Sequence, residues 1–260
     1  MALIAVAVHD SEENKRSVLT KKTLINIVNT VDLNRHRLFV IDNFSCQKTH
    51  ELYKEFGGVN NFNLIRNTEN IGTAAAINQA WRLRAPGEHC IKMDNDVIIH
   101  AKGWVDQMEE AISRDPAIGQ VGLKRKDCWE TTTHSNPDLR STLFQLPHVA
   151  GERWIVVEKA KHIMGTCVMH SSALLDKVGY LFQPTLYGHD DVLMSWRSNL
   201  AGLYTCFLSH IDIDHIDPGD TPYQKWKEDH SRPNMKLVSD IVDEYISGKR
   251  SLYYDGGFEK

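Results

Sequence analysis

Cys90-Ile91-Lys92-Met93-Asp94-Asn95-Asp96-Val97 is the stretch from which the fold is read. An apolar run stops at two carboxylates two residues apart, as a buried strand does where it gives way to a turn at the rim of a sheet. The same rhythm recurs outward from it. Strand-like runs at 3–8, 38–41 and 63–65 precede it, and one at 119–123 follows. Between them, Leu24, Ile25 and Val28 mark one helix face, Ala74, Ile77 and Trp81 a second, and Trp104, Met108 and Ile112 a third. Strands alternating with helix-period segments predict an α/β, Rossmann-like fold whose central sheet is mainly parallel and flanked by helices.

Periodicity is lost over 124–151, where a polar stretch from Thr131 to Pro137 is too long for an ordinary connector and reads as a functional loop or flap. Strands resume at 154–157 and 164–170. A helix opens near Asp190 with Val192, Leu193, Trp196 and Leu200 on one face, a strand-like run covers 204–211, and an amphipathic helix passes through Val238, Ile241, Val242 and Tyr245. With no repeat and no linker, residues 1–260 are expected to form a single domain. Its parts are a nucleotide-binding half (1–123), an acceptor and catalytic half (124–217) and a C-terminal extension (218–260).

Composition narrows the class. The 260 residues are 42% apolar with a net charge of −4, which excludes collagen-like, disordered and disulfide-scaffold proteins. No run approaches the roughly 18 apolar residues of a membrane span, and the chain enters its first strand without a basic leader. Five scattered cysteines, never in a CxxC pair, are expected to be reduced thiols of a cytoplasmic protein. Thirteen histidines, several beside aspartates, direct attention to metal or acid–base chemistry.

Four blocks carry that chemistry. Alternation along a strand would point Asp94 and Asp96 to the same side, where both address one hard divalent cation and its phosphates; alone, the pair also fits a solvated Asx turn. The run Asn67 to Asn78, with Asn70 and Gly72, enters an Ala-rich helix whose first N–H groups favour an anion, or it is a plain capped helix. Asp42 and Asn43 end another strand, placed to read a base or ribose, or to cap a turn. His189-Asp190-Asp191 sets paired acids at a helix N-terminus, where the dipole favours the charged form and mutual crowding opposes it, so either suits a general base. His210 to Asp217 supplies imidazoles and carboxylates in one loop.

In this order, the blocks resemble the GT-A-fold glycosyltransferases, particularly the family-two type that uses nucleotide-activated sugars. The likeness covers 2–96 and 164–215 best; 124–151 and the tail after Asp217 lie outside it. It implies nucleobase or ribose contact at Asp42, a nucleotide block at Asn70, Gly72 and Asn78, and Mn²⁺ or Mg²⁺ on the diphosphate at Asp94 and Asp96. It further implies an acid pair supplying the base at Asp190 and Asp191, with Arg197 along the same helix, and a third metal ligand at His215, with His210 as the other candidate. His9-Asp10 after the first strand departs from the family's usual Pro-Tyr-Asn, and His189-Asp190-Asp191 departs from its Glu-Asp pairing.

The resemblance implies metal-dependent transfer of a sugar from a nucleoside-diphosphate sugar, a UDP-sugar being expected, to a hydroxyl acceptor with inversion. The acceptor stays open between glycan, lipid, protein and nucleic acid. Carboxylates with one imidazole suit Mn²⁺ or Mg²⁺. Two rivals stand beside this reading. One is a nucleotidyltransferase, although residues 8–13 lack its Gly-rich basic loop. The other is a non-catalytic carbohydrate- or nucleic-acid-binding module using Lys124-Arg125-Lys126, Lys225, Trp226, Lys227 and Arg232, with Trp129, Trp154, Tyr253 and Tyr254 as stacking candidates.

Overall fold

Strand β1 (Ala2–Val8) is buried along nearly its whole length, because its aliphatic side chains find helices on both faces of the sheet. Parallel neighbours flank it: β2 (Arg37–Asn43) and beyond it β3 (Phe62–Asn67) on one side, β4 (His89–Met93) on the other. Helices α1 (Ser17–Thr30), α2 (Gln47–Lys54), α3 (Thr73–Trp81) and α4 (Trp104–Arg114) cover these strands. Alternate residues of β1 serve opposite layers: Ile4 and Val6 pack in one core with Leu24, Ile27, Trp104 and Met108, while Leu3 and Ala5 pack in another with Ile77 and Trp81. The computed structural model describes residues 1–128, 142–219, 222–231 and 234–257.

Past β4 the sheet becomes mixed. Strands β5 (Val97–Ile98), β6 (Ile118–Arg125), β7 (Thr142–Gln145), β8 (Val156–Ala160), β9 (Cys167–His170) and β10 (Tyr204–His215) extend it in the order β3-β2-β1-β4-β9-β6-β10-β8-β7, with β5 paired to β10. β9 runs antiparallel between β4 and β6, β6 and β10 are parallel, and β8 and β7 close the edge antiparallel. The mainly parallel expectation therefore holds for β3-β2-β1-β4. Beyond them the hydrophobic pattern of a short buried strand such as β9 carries no mark of direction. The expected flap from Thr131 to Pro137, with Trp129, lies outside the described residues, as does Arg232.

The remaining helices are α5 (Ser172–Val178), α6 (Asp190–Leu200), α7 (Pro222–Ser231) and α8 (Met235–Ile246). Two expected helix faces are rotated. In α1, Ile25 is exposed while Thr20 and Thr23 are buried, because their hydroxyls bond Asp10 Oδ2 and the Val97 N–H. In α6, Trp196 and Leu200 face outward and Leu193, Met194, Arg197 and Ser198 face inward. The guanidinium of Arg197 donates to three backbone carbonyls, those of Val178, Tyr180 at 2.7 Å and Leu252 at 2.8 Å, so an arginine takes the place of an apolar residue. α8 buries Val238, Ile241, Val242 and Tyr245 against Leu193, as its periodicity predicts.

The carbonyl of Leu252 belongs to a C-terminal strap. Tyr254 accepts from the Tyr180 N–H at 2.8 Å and donates to the Val178 carbonyl at 2.9 Å. Gly179 makes this close approach possible, with φ of +74° and a carbonyl, that of Tyr254, only 2.0 Å from where a Cβ would sit. Gly179→Ala is accordingly expected to cost at least about 2 kcal/mol by combining a backbone clash with an unfavourable φ. Urea unfolding measures it, and an unchanged midpoint would contradict the packing of the strap.

Candidate functional site

The carboxyl ends of the parallel strands are where α/β sheets bind ligands, and there a cavity of about 630 Å³ opens. Its wall takes His9 from beyond β1, Asn43 from β2, Asp94, Asn95 and Asp96 from beyond β4, and His215 and Asp217 from the end of β10. Asp190 and Asp191 enter from α6, and Tyr223, Trp226 and Lys227 from α7.

Asp94 to Asp96 form a turn rather than a strand continuation, so strand alternation is not what brings the two acids to one side. Hydrogen bonds do it. The Asp94 N–H donates to the Thr166 carbonyl at 2.9 Å, and the Asp96 carbonyl accepts from the Ile216 N–H at 2.8 Å. The side chain of Asn95 turns the other way, donating to Thr20 Oγ1 at 2.8 Å and Asp10 Oδ1 at 3.2 Å. Asp10 is itself buried and accepts from the hydroxyls of Thr20 and Thr49, so the first strand's departure from the family motif props the acidic turn from beneath. Pairing of β5 with β10 sets His215 opposite Val97, and this register brings its imidazole Nε2 to 3.3 Å from Asp96 Oδ2.

Ligand atoms of Asp96, His215 and Asp217 lie within 4.8 Å of one another. Asp96 Oδ1 is buried without a hydrogen-bond partner, a costly state for a carboxylate oxygen unless something positive is to meet it. Oxygen and imidazole donors suit a hard divalent cation such as Mn²⁺ or Mg²⁺. Burial, with the neighbouring Asp96 charge and despite Lys92, pushes the Asp94 carboxyl up to about 6. Burial acts on Asp96 in the same sense, but His215 and Arg16 outweigh it and hold that group below the usual carboxylate range. A second acidic cluster, His36 with Asp106 and Glu109, lies elsewhere, and Arg35 and the N-terminal amine already pair its carboxylates.

The two acids of α6 differ in surroundings. Asp190 is nearly buried and accepts from Lys92 Nζ at 2.7 Å. Asp191 has a side chain 24% exposed, and accepts from the Gly165 N–H at 2.9 Å and the Val192 N–H at 2.8 Å, with His162 Nε2 at 3.9 Å. Burial opposes its ionisation, but His162, Lys92 and the two N–H donors together hold its pKa below the usual value. Gly165 favours this closeness, since a Cβ there would fall 2.6 Å from Lys92 Nζ and 3.2 Å from Asp191 Cβ and would push both aside.

Other predicted residues are engaged by the protein itself. Asn43 and Asn70 line it, but their amides bond one another at 2.7 Å, and Asn43 also holds Asn67 and the Ile71 N–H. Gly72 is the left-handed hinge before α3, packed on Leu186. Asp42 is buried beside the wall rather than in it, accepting from the Ser45 N–H and paired with His50 at 2.7 Å. Asn78 clasps both backbone groups of Leu181, and Arg197 is occupied as described above. His210 bonds Gln107 away from the cavity. Apart from Gly72, each of these residues has its side chain bound to a backbone group or neighbour that only the tertiary fold supplies.

A sequence profile of glycosyl transferase family 2 matches residues 14–179, well over half of the chain. The chain belongs to that family. It is a glycosyltransferase with the GT-A fold. No curated protein sequence matches it. Among solved structures, a mannosyltransferase from Pyrobaculum calidifontis in complex with GDP-Man and Mn²⁺ aligns over 93% of this chain and 68% of its own, with 16% identity and a TM-score of 0.65. S. aureus TarS 1-349 in complex with UDP-GlcNAc aligns over 82% and 58%, with 14% identity and a TM-score of 0.60. GalNAc-T7 with UDP, GalNAc and Mn²⁺ aligns over 96% and 55%, with 13% identity and a TM-score of 0.65. The chain thus spans less than two thirds of the latter two proteins.

Arg16 and Lys92 have no predicted role, yet both pair with acids of this glycosyltransferase's cavity, and Asp217, which the sequence offers only as the end of the loop from His210, shares Arg16 with Asp96. The signal available for Lys92 was a charged residue inside an otherwise apolar strand. Removing it leaves Asp190 buried and unpaired, so Lys92→Met is expected to cost about 3–5 kcal/mol of stability. Chemical denaturation at neutral pH measures this; a loss below about 1 kcal/mol, the scale of an exposed pair, would contradict it.

Proposed function

We propose that this glycosyltransferase moves a sugar from a nucleoside-diphosphate sugar, a UDP-sugar being the first candidate, to a hydroxyl acceptor with inversion. The observation carrying this reading is that Asp94, Asp96, His215 and Asp191 all face one cavity. Asp94, Asp96 and His215, with Asp217 added, would hold Mn²⁺ or Mg²⁺. Such an ion, when bound, supplies a Lewis acid that neutralises charge on the departing diphosphate.

Asp191 is the proposed base and Asp190 its support. Lys92 neutralises Asp190 and keeps it out of proton transfer. Asp191, charged and partly open to the cavity, accepts the proton of the incoming hydroxyl as that oxygen bonds to the anomeric carbon. The bond from that carbon to the diphosphate breaks, and its electron pair leaves with the diphosphate oxygen. Gly165 and Val192 N–H groups fix the carboxylate's direction, which favours attack from one face.

The chain is further proposed to work as one domain with the three parts given above. A cytoplasmic location agrees with Cys46, Cys90, Cys167 and Cys206 standing as free thiols, and no helix among the described residues is long and apolar enough to cross a membrane. The basic run is less suited to nucleic acid than its sequence suggests: Lys124 pairs with Glu158, Arg125 with Asp127 and Lys126 with Asp214. Glycan, lipid, protein and nucleic acid remain the proposed acceptor classes.

A panel of nucleotide-sugars with Mn²⁺ tests the reading. Asp191→Asn is expected to lower turnover by about 10²–10⁴-fold, the range for loss of a general base, with nucleotide affinity nearly unchanged. Asp96→Asn is expected to remove Mn²⁺-dependent nucleotide binding. Equal activity and equal nucleotide affinity in both variants would overturn the assignment.

A further inference from the structure

Arg16 stands where an incoming divalent cation would go. It immediately precedes α1, is 4% exposed, and donates to Asp96 Oδ2 and, through Nη1, to Asp217 Oδ2 at 2.9 Å. Lys227 reaches the same Asp217 oxygen at 2.9 Å. The ring of Tyr223 lies 4.4 Å from the guanidinium carbon, holding the side chain against the cavity wall. Two of the three groups that converge as a cation site are therefore already neutralised by the protein.

A guanidinium and a divalent ion cannot both sit on the Asp96 and Asp217 oxygens without strong repulsion, because the three side chains are buried and weakly screened by solvent. Arg16 also borders the donor cavity, and its planar fork of N–H groups matches phosphate oxygens as well as carboxylate oxygens. We propose that Arg16 is a diphosphate-binding residue that doubles as a resident counter-ion, holding Asp96 and Asp217 until cation and nucleotide arrive together. It then exchanges its carboxylate partners for the diphosphate. This rests on the cation site of the preceding section and adds a consequence: the cation alone binds weakly, the nucleotide strengthens it, and by linkage the cation strengthens the nucleotide by the same factor.

Mn²⁺ titrations followed by electron paramagnetic resonance, with UDP and GDP as nucleotide probes, test this on the full chain. In Arg16→Met, Mn²⁺ alone is expected to bind about tenfold tighter than in the wild type, within the usual range of coupling factors of about 5–150. The same variant should bind UDP or GDP about tenfold more weakly in saturating Mn²⁺. Arg16→Lys, which keeps the charge without the fork, should resemble the wild type toward Mn²⁺ alone and still lose nucleotide affinity. Should Arg16→Met not fold without metal, its refolding on added Mn²⁺, followed by circular dichroism, reads the same competition. Identical Mn²⁺ and nucleotide affinities in the three proteins would overturn the role of Arg16. If the wild type binds no Mn²⁺ even with either nucleotide, the cation site itself fails, and this inference with it.

Discussion

Carboxylates withdrawn from water are the constraint around which this glycosyltransferase is arranged. Asp94, Asp96, Asp190, Asp191 and Asp217 border one cavity, and Arg16, Lys92, Lys227, His162 and His215 are among the cationic or imidazole groups that meet them. Burying an unpaired carboxylate costs several kcal/mol, so Asp96, Asp190, Asp191 and Asp217 each sit there with a specific partner. The partners are unequal. Asp190 has Lys92, Asp191 has two backbone N–H groups, and Asp96 keeps one oxygen with nothing. An arrangement left short of positive charge in this way is suited to receive a cation.

The fold delivers these groups from remote parts of the chain. β1 and β4 lie side by side, so Asp10 and Asn95 meet below the turn that carries Asp94 and Asp96. The short strand β5 then pairs with the far end of β10 and sets His215 against Asp96. Because β9 inserts antiparallel to β4, Thr166 fixes the Asp94 N–H and Gly165 lies under Asp191. The antiparallel insertion that departs from the parallel expectation is thus also what connects the acidic turn to α6.

Much of this was legible in the amino-acid order. Strand runs at 3–8, 38–41 and 90–93 sit inside observed strands whose residues are buried on both faces, while 63–65 sits inside the half-buried edge strand β3. The faces of α3, α4 and α8 follow their 3.6-residue period. Buried polar residues were the obstacle elsewhere. Thr20 and Thr23 on α1 and Arg197 on α6 turn inward because a carboxylate, a backbone N–H and backbone carbonyls respectively await them, and no period in hydrophobicity can announce that. The same limit applies to the candidate site. Asp94, Asp96, Asp190, Asp191 and His215 were named from motif and order, and they do share a cavity. Asp42, Asn78 and Arg197 carry the same kind of motif signal, but their partners are backbone groups and a histidine of the folded chain. Arg16 and Asp217 acquire their place only when α1, β4 and the end of β10 converge.

The central claim is a divalent cation held among these acids beside an activated sugar's diphosphate. The most direct measurement is anomalous diffraction at the manganese edge from crystals grown with Mn²⁺ and a nucleoside diphosphate. The account predicts a single strong peak among Asp94, Asp96, His215 and Asp217, with the Arg16 guanidinium drawn off Asp96 and Asp217. Nucleotide density in the cavity with no peak there, or a peak confined to His36, Asp106 and Glu109, would contradict it.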